Sequence, residues 1–113
     1  MANITLQGNE IHTSGNLPEL GTVAQDFTLV AEDLSEKTLS DFAGKKVVLN
    51  IFPSIDTGVC AASARKFNEE AAALEGIQII SLSVDLPFAL DRFCAAEGID
   101  KNITLSDHKE LDF

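Results

Sequence analysis

An α/β domain built on a largely parallel sheet is the fold class that three features of this 113-residue sequence predict. Val47-Val48-Leu49-Asn50-Ile51-Phe52 is an almost unbroken apolar run containing β-branched residues, and Ile77 to Val84 is a second one. A stretch of helical period lies between them. A further helical stretch then leads to a third, shorter strand at Ile103-Thr104-Leu105, so the order is strand, helix, strand, helix, strand.

Each element has its own local cause. Residues 3–13 read as a β-hairpin, because Ile4 and Leu6 alternate with polar neighbours, Gly8-Asn9 offers a tight turn, and Ile11 and Thr13 return. Residues 14–22 are connecting loop by composition. Phe27-Thr28-Leu29-Val30 is a short strand, after which Thr38-Leu39 leads into Asp41-Phe42-Ala43-Gly44. The 47–52 run is stopped by Pro53 and is expected to be buried on both faces. Over 58–75, Cys60, Ala64, Phe67, Ala71 and Leu74 step by fours and threes along one helical face, and Gly76 suits the stop. Asp85 is expected to cap the second helix, which tolerates Pro87 in its first turn, carries Leu86, Leu90 and Phe93, and ends at Gly98. Nothing divides the chain, so residues 1–113 read as a single domain. The short tail after Asp107 gives little cover for such a sheet, and the expectation is an α/β domain missing its last part.

Composition narrows the function. Eight Lys+Arg against eighteen Asp+Glu give a net charge of −10, the wrong sign for binding nucleic acid or an anionic membrane surface. No apolar run approaches the roughly 18 residues of a membrane span. The first residues lack the basic patch and apolar core of a signal peptide, which makes the cytoplasm the default. Two cysteines are too few for a disulfide-stapled scaffold. Cys60 and Cys94 lie far apart in sequence from each other and from His12 and His108, so no metal site is expected. The glycine motifs of nucleotide binding and the nucleophile elbow of serine hydrolases are absent as well.

The chemistry concentrates in Pro53-Ser54-Ile55-Asp56-Thr57-Gly58-Val59-Cys60, directly after a core strand, where open α/β sheets gather their ligands. Cys60 falls in the first turn of a helix, where unpaired N–H groups and the helix dipole favour a thiolate over a thiol. Thr57 sits three residues earlier, at the expected N-cap. A thiolate so placed is a nucleophile, and the nearby N–H groups can hold a substrate oxygen. From the residues alone two readings stay open, since a cysteine on the apolar stripe of a helix also serves as a small core residue. Cys94, in Phe93-Cys94-Ala95-Ala96, is the candidate partner thiol, and taken by itself it reads as core. The Thr57-x-x-Cys60 spacing lacks the second cysteine of a dithiol reductase.

The segment 53–60 resembles the peroxiredoxins, and within them the bacterial thiol peroxidases. Leu6-Gln7-Gly8-Asn9, Phe27-Thr28-Leu29-Val30, Val48-Leu49-Asn50-Ile51-Phe52, Asp85-Leu86-Pro87-Phe88-Ala89 and Arg92-Phe93-Cys94-Ala95-Ala96-Glu97-Gly98 resemble that family too, so the likeness covers essentially the whole chain. It implies a thioredoxin-like fold with an amino-terminal hairpin. It implies that Cys60 is the peroxidatic cysteine, Cys94 the resolving cysteine, Thr57 a hydrogen-bonding partner of thiolate and peroxide, and Pro53 a shield over the site. The implied reaction reduces hydrogen peroxide and organic hydroperoxides through a sulfenic acid and an intramolecular Cys60–Cys94 disulfide, with thioredoxin as reductant, a homodimeric assembly and no cofactor. The family continues for roughly another third of a domain's length beyond residue 113, a size suited to a complete domain. That part holds further strands, a closing helix and an active-site arginine whose motif neither Arg65 nor Arg92 matches. The resemblance therefore implies a chain truncated at its carboxyl end, with turnover below that of the complete domain. A redox sensor without turnover, an inactive fragment of such an enzyme and a structural domain with two buried cysteines are the competing readings.

Overall fold

The computed structural model describes residues 2–71, 75–100 and 102–109. A first pair of strands, β1 (Asn3–Leu6) and β2 (Asn9–His12), forms a separate antiparallel sheet in which Leu6 faces Asn9 and Ile4 faces Ile11. The turn is Gln7-Gly8, one residue earlier than expected. Both residues have positive φ, 51° and 82°, the signature of a type I′ turn whose twist matches the strands it joins. Asn9 is thereby released to pair with Leu6.

The main sheet contains β3 (Thr28–Ala31), β4 (Glu36–Thr38), β5 (Lys46–Ile51), β6 (Ile77–Ser83) and β7 (Asn102–Ser106), in the order β4-β3-β7-β6-β5. β5, β6 and β7 run parallel, whereas β3 pairs antiparallel with both β7 and β4. The three-residue β4 carries the polar sequence Glu36-Lys37-Thr38 and gives no apolar alternation from which to read it. A short 3-10 helix, Leu39–Phe42, follows it, with the Asp41 carboxylate accepting from the Thr38 amide at 2.7 Å.

Two helices cross the parallel part, α1 (Gly58–Ala71) packing on β6 and β7, and α2 (Pro87–Glu97) packing on β7. Leu74, expected on the apolar face of α1, lies outside the described residues, as do the last four residues of the chain. Strand alternation divides the sheet's two faces. On one, Ile80, Leu82 and Leu105 join Phe27, Leu29, Ala31 and Phe42, with Val47, Leu49 and Ile103 packed against them. The other face meets the helices and is unusually polar. Asn50 Nδ2 donates to Ser63 Oγ of α1 at 3.0 Å, and Asn102 Nδ2 donates to the Ala64 carbonyl at 3.1 Å. Above this face a second cluster forms from Phe52, Ile55, Ala64, Leu90, Cys94 and Ile99.

The expectation that the 47–52 run is buried on both faces is corrected. β6 is the buried strand, whereas β5 is the outer strand of the described sheet, with Ile51 57% exposed. An apolar run reports the tendency to be buried, but strand order decides which runs are covered. Asp85 likewise does not cap α2. The N-cap is Leu86, without a side-chain bond, and Pro87 opens the helix as expected. Gly98 closes it in the left-handed conformation at φ 67°, its N–H donating to the Cys94 carbonyl. Between the helices, the Arg65 guanidinium grips Glu97 through two bonds of 3.0 and 3.1 Å and lies 5.6 Å from the Phe93 ring centroid. That grip holds the Glu97 carboxyl below its usual range.

Candidate active site

The loop from β5 to α1 is built by a chain of hydrogen bonds. β5 extends by one residue through Phe52, whose N–H donates to the Leu82 carbonyl at 3.0 Å. Pro53 bends the chain at the surface, where its ring has no N–H to leave unpaired. Ile55 then turns inward and is buried in the helix-side cluster. Asp56 and Thr57 are exposed. The Thr57 carbonyl accepts the first helical bond, from Ala61 N–H at 3.0 Å, so α1 begins where the sequence places it.

The Thr57 hydroxyl is used differently from a cap. It donates to the Ser54 carbonyl at 2.9 Å, which the Thr57 N–H also reaches at 3.2 Å. Thr57 is therefore tied to the loop behind it, and the leading N–H groups of α1, which have no acceptor within the helix, stay available at the surface. Cys60 lies in this first turn, half-buried and as a free thiol. Its carbonyl accepts from Ser63 Oγ at 3.2 Å, and Asn50 ties that same hydroxyl to β5.

Cys94 is also a free thiol, on α2, and only 7% exposed. Cys60 packs against the cluster to which Cys94 belongs, so the fold brings to one cluster two cysteines that are distant in sequence. Burial first, and the Glu32 carboxylate second, push the Cys94 thiol up to about 11. Glu32 is itself held by Thr104 Oγ1 at 2.7 Å. Folding thus favours the protonated thiol. The stability this contributes is fully present below the ordinary value of 9.0 and is lost as pH rises towards 11. In a Cys60→Ser protein, alkylation of Cys94 by iodoacetamide is expected to be slow at neutral pH and to accelerate only through that window, with Glu32→Gln moving the curve to lower pH. A profile centred on an ordinary thiol value would contradict this.

One further residue, absent from the sequence reading of the site, grips the loop, and a second anchors that residue from β7. The Asp85 carboxylate accepts from Ser54 Oγ at 2.8 Å and from Ile55 N–H and Ser83 Oγ, each at 2.7 Å. Ser106 Oγ donates to the Asp85 carbonyl and lies 2.9 Å from Nδ1 of the half-buried His108. Ser-x-Asp at the end of a core strand, with a serine two residues after the neighbouring site's proline-bounded strand, was the available signal, but nothing local distinguishes such a carboxylate from a helix cap. An open cleft of about 440 Å³ lined by Asp26, Leu39, Phe42 and Val47 lies on the opposite side of the sheet and holds no thiol. Among the described residues no three His, Cys, Asp or Glu side chains gather as a metal site would require. No helix among them is long and apolar enough to cross a membrane.

Comparison with known proteins places the fold and the family. The Redoxin family model matches residues 19–113. The thiol peroxidase of Oceanobacillus iheyensis is 51% identical over all 113 residues, which span 69% of that protein. That of Corynebacterium glutamicum is 58% identical over 104 residues, covering 92% of this chain and 62% of its own. Among solved structures, a peroxiredoxin-like protein from Aquifex aeolicus superposes with a TM-score of 0.88 at 34% identity, over 97% of this chain and 64% of that one. The chain thus spans about two thirds of the length of these relatives. Its thioredoxin-like fold, preceded by a β-hairpin, is that of the peroxiredoxins, and the chain belongs to the Redoxin family alongside the thiol peroxidases.

Proposed function

We propose that these residues carry the peroxide-reducing centre of a thiol peroxidase, with Cys60 as nucleophile and Cys94 as resolving thiol. The observation that carries the reading is the placement of Cys60 in the first turn of α1, after the carboxyl end of the parallel strand β5, packed on the cluster that contains Cys94. The Cys60 thiolate attacks one peroxide oxygen, the O–O bond breaks, and the other oxygen leaves as water or an alcohol once it takes a proton. Cys60 becomes a sulfenic acid. The Cys94 sulfur then attacks the Cys60 sulfur, water leaves, and an intramolecular disulfide remains for a dithiol of the thioredoxin type to reopen. Thr57 serves as the hydroxyl nearest the incoming peroxide, and Pro53 limits the approach of water.

Cys94 lies in the last turn of α2, where its carbonyl accepts from both Gly98 and Ile99 N–H groups. Unwinding that turn frees Cys94 to reach Cys60, and the proposed cycle includes this local motion. Hydrogen peroxide and organic hydroperoxides are the substrates, residues 1–113 belong to one domain that is incomplete at its carboxyl end and has its hairpin at 3–13, and the working assembly is a homodimer in a reducing compartment such as the cytoplasm.

Burial of Cys94 favours a second reading, a sensor that is oxidised at Cys60 and does not turn over. Intact mass after one equivalent of hydrogen peroxide, followed by peptide mapping, tests the first half of the cycle. Loss of two hydrogens mapped to a Cys60–Cys94 bridge is expected. Gain of a single oxygen at Cys60 that persists supports the sensor, and an unchanged mass overturns both readings. Sustained peroxide consumption with a dithiol donor then separates peroxidase from sensor.

A further inference from the structure

We infer that Asp85 is a positioning residue of the peroxide site, clamping the loop that leads to Cys60; this rests on the reading of Cys60 as the peroxidatic thiol. The Asp85 carboxylate receives three donors, and two of them come from the loop ahead of α1. Oδ1 accepts from Ser54 Oγ at 2.8 Å, while Oδ2 accepts from the Ile55 amide and from Ser83 Oγ, each at 2.7 Å. Hydrogen bonds to an ionised acceptor are shorter and stronger than neutral ones, so this grip is firm for its size.

The constraint runs on towards the thiol. Ser54 Oγ, held by Asp85, accepts from the Asp56 N–H at 3.1 Å, and the Ser54 carbonyl accepts from both the N–H and the hydroxyl of Thr57. Residues 54 to 57 are thereby fixed one after another, and the Thr57 carbonyl starts the helix whose first turn contains Cys60. Asp85 is itself anchored. Its N–H donates to Ser83 Oγ at 3.2 Å, and its carbonyl accepts from Ser106 Oγ of β7. Leu86, the next residue, is the N-cap of α2, which bears Cys94. One residue therefore joins the start of both cysteine-bearing helices to the ends of β6 and β7.

The chemistry explains why this matters for peroxide in particular. Attack on an O–O bond requires the sulfur, the near oxygen and the leaving oxygen in line, with donors already aimed at the leaving oxygen. Alkylation by a small haloacetamide asks only for an accessible nucleophile. A loop that shifts by an ångström penalises the first reaction far more than the second.

The test uses Asp85→Asn, which keeps the shape but turns an N–H donor towards Ser54 or Ile55, and Ser54→Ala, which removes only the Oδ1 contact. For each, the rate of Cys60 oxidation is measured by competition with a haem peroxidase for hydrogen peroxide, alongside iodoacetamide alkylation of Cys60 and the melting temperature. Asp85→Asn is expected to slow peroxide oxidation on the order of 100-fold, the cost of a misplacement near 1 Å, while alkylation stays near the parent rate. Ser54→Ala is expected to fall between the two. Peroxide oxidation at the parent rate in Asp85→Asn overturns the positioning role. So does a parallel loss of peroxide reactivity, alkylation and melting temperature in both variants, which marks a residue that only supports the fold. A parent protein whose Cys60 ignores peroxide overturns the peroxidatic reading, and the positioning role with it.

Discussion

Replacing Cys60 with serine is expected to reduce peroxide consumption to the uncatalysed level. The serine hydroxyl keeps its proton at neutral pH, and oxygen cannot take up a second oxygen to form an equivalent of the sulfenic acid, so both the attack and the intermediate disappear together. Stability should scarcely change. Cys60 is half-buried at the margin of its cluster, and Ser63 bonds its carbonyl rather than its sulfur, so an exchange of sulfur for oxygen is expected to shift unfolding by about 1 kcal/mol or less. Cys94→Ser separates the two halves of the cycle. The first equivalent of peroxide is still consumed, Cys60 stops at the sulfenic acid, and a second equivalent carries it to the sulfinic acid. The pair is read by peroxide consumption and by intact mass. Equal consumption by the Cys60→Ser protein and its parent would remove Cys60 from the mechanism.

The parts of this molecule that were legible in the sequence are those governed by local rules. Helix α2 has its proline in the first turn and its glycine just past the end, two positions set by backbone chemistry within a single turn. Cys60 was legible for the same reason, because its place after a strand and at a helix start follows from residues within about fifteen positions of it. What escaped depends on partners far along the chain. The antiparallel insertion of β3 beside β7 joins residues more than seventy positions apart, Val30 to Ser106, and leaves no mark on either segment alone. β5 reads as buried, but its strand order puts it at the outside of the described sheet. Asp85 shows the limit most clearly. A carboxylate two residues before a helix predicts a cap, yet Ser54 and Ile55, thirty positions upstream, capture it instead. Likewise the Glu32 carboxylate that raises Cys94 belongs to the β3–β4 turn and reaches α2 only through the fold.

The largest expected effect on stability comes from Leu90→Ala. Leu90 is 1% exposed, lies on α2, and belongs to the cluster formed by Phe52, Ile55, Ala64, Cys94 and Ile99. Removing most of its side chain deletes apolar area and leaves a cavity that a sheet on one side and α1 on the other resist filling, at a cost of about 2–5 kcal/mol. Equilibrium unfolding in urea measures this as a lower midpoint with an unchanged slope. Phe88→Ala is the control on the same helix, since Phe88 is 64% exposed and its loss is expected to change stability by about 0.5 kcal/mol or less. The functional consequence runs the other way. If Cys94 resolves the sulfenic acid only after the last turn of α2 leaves this cluster, the opening step costs less when Leu90 no longer holds the helix down. Leu90→Ala is then expected to form the Cys60–Cys94 bridge faster than the parent after one equivalent of peroxide, although the protein as a whole is less stable. Bridge formation that slows in step with the loss of stability would show instead that Cys94 reacts from within the packed helix, and that the cluster positions it rather than restrains it.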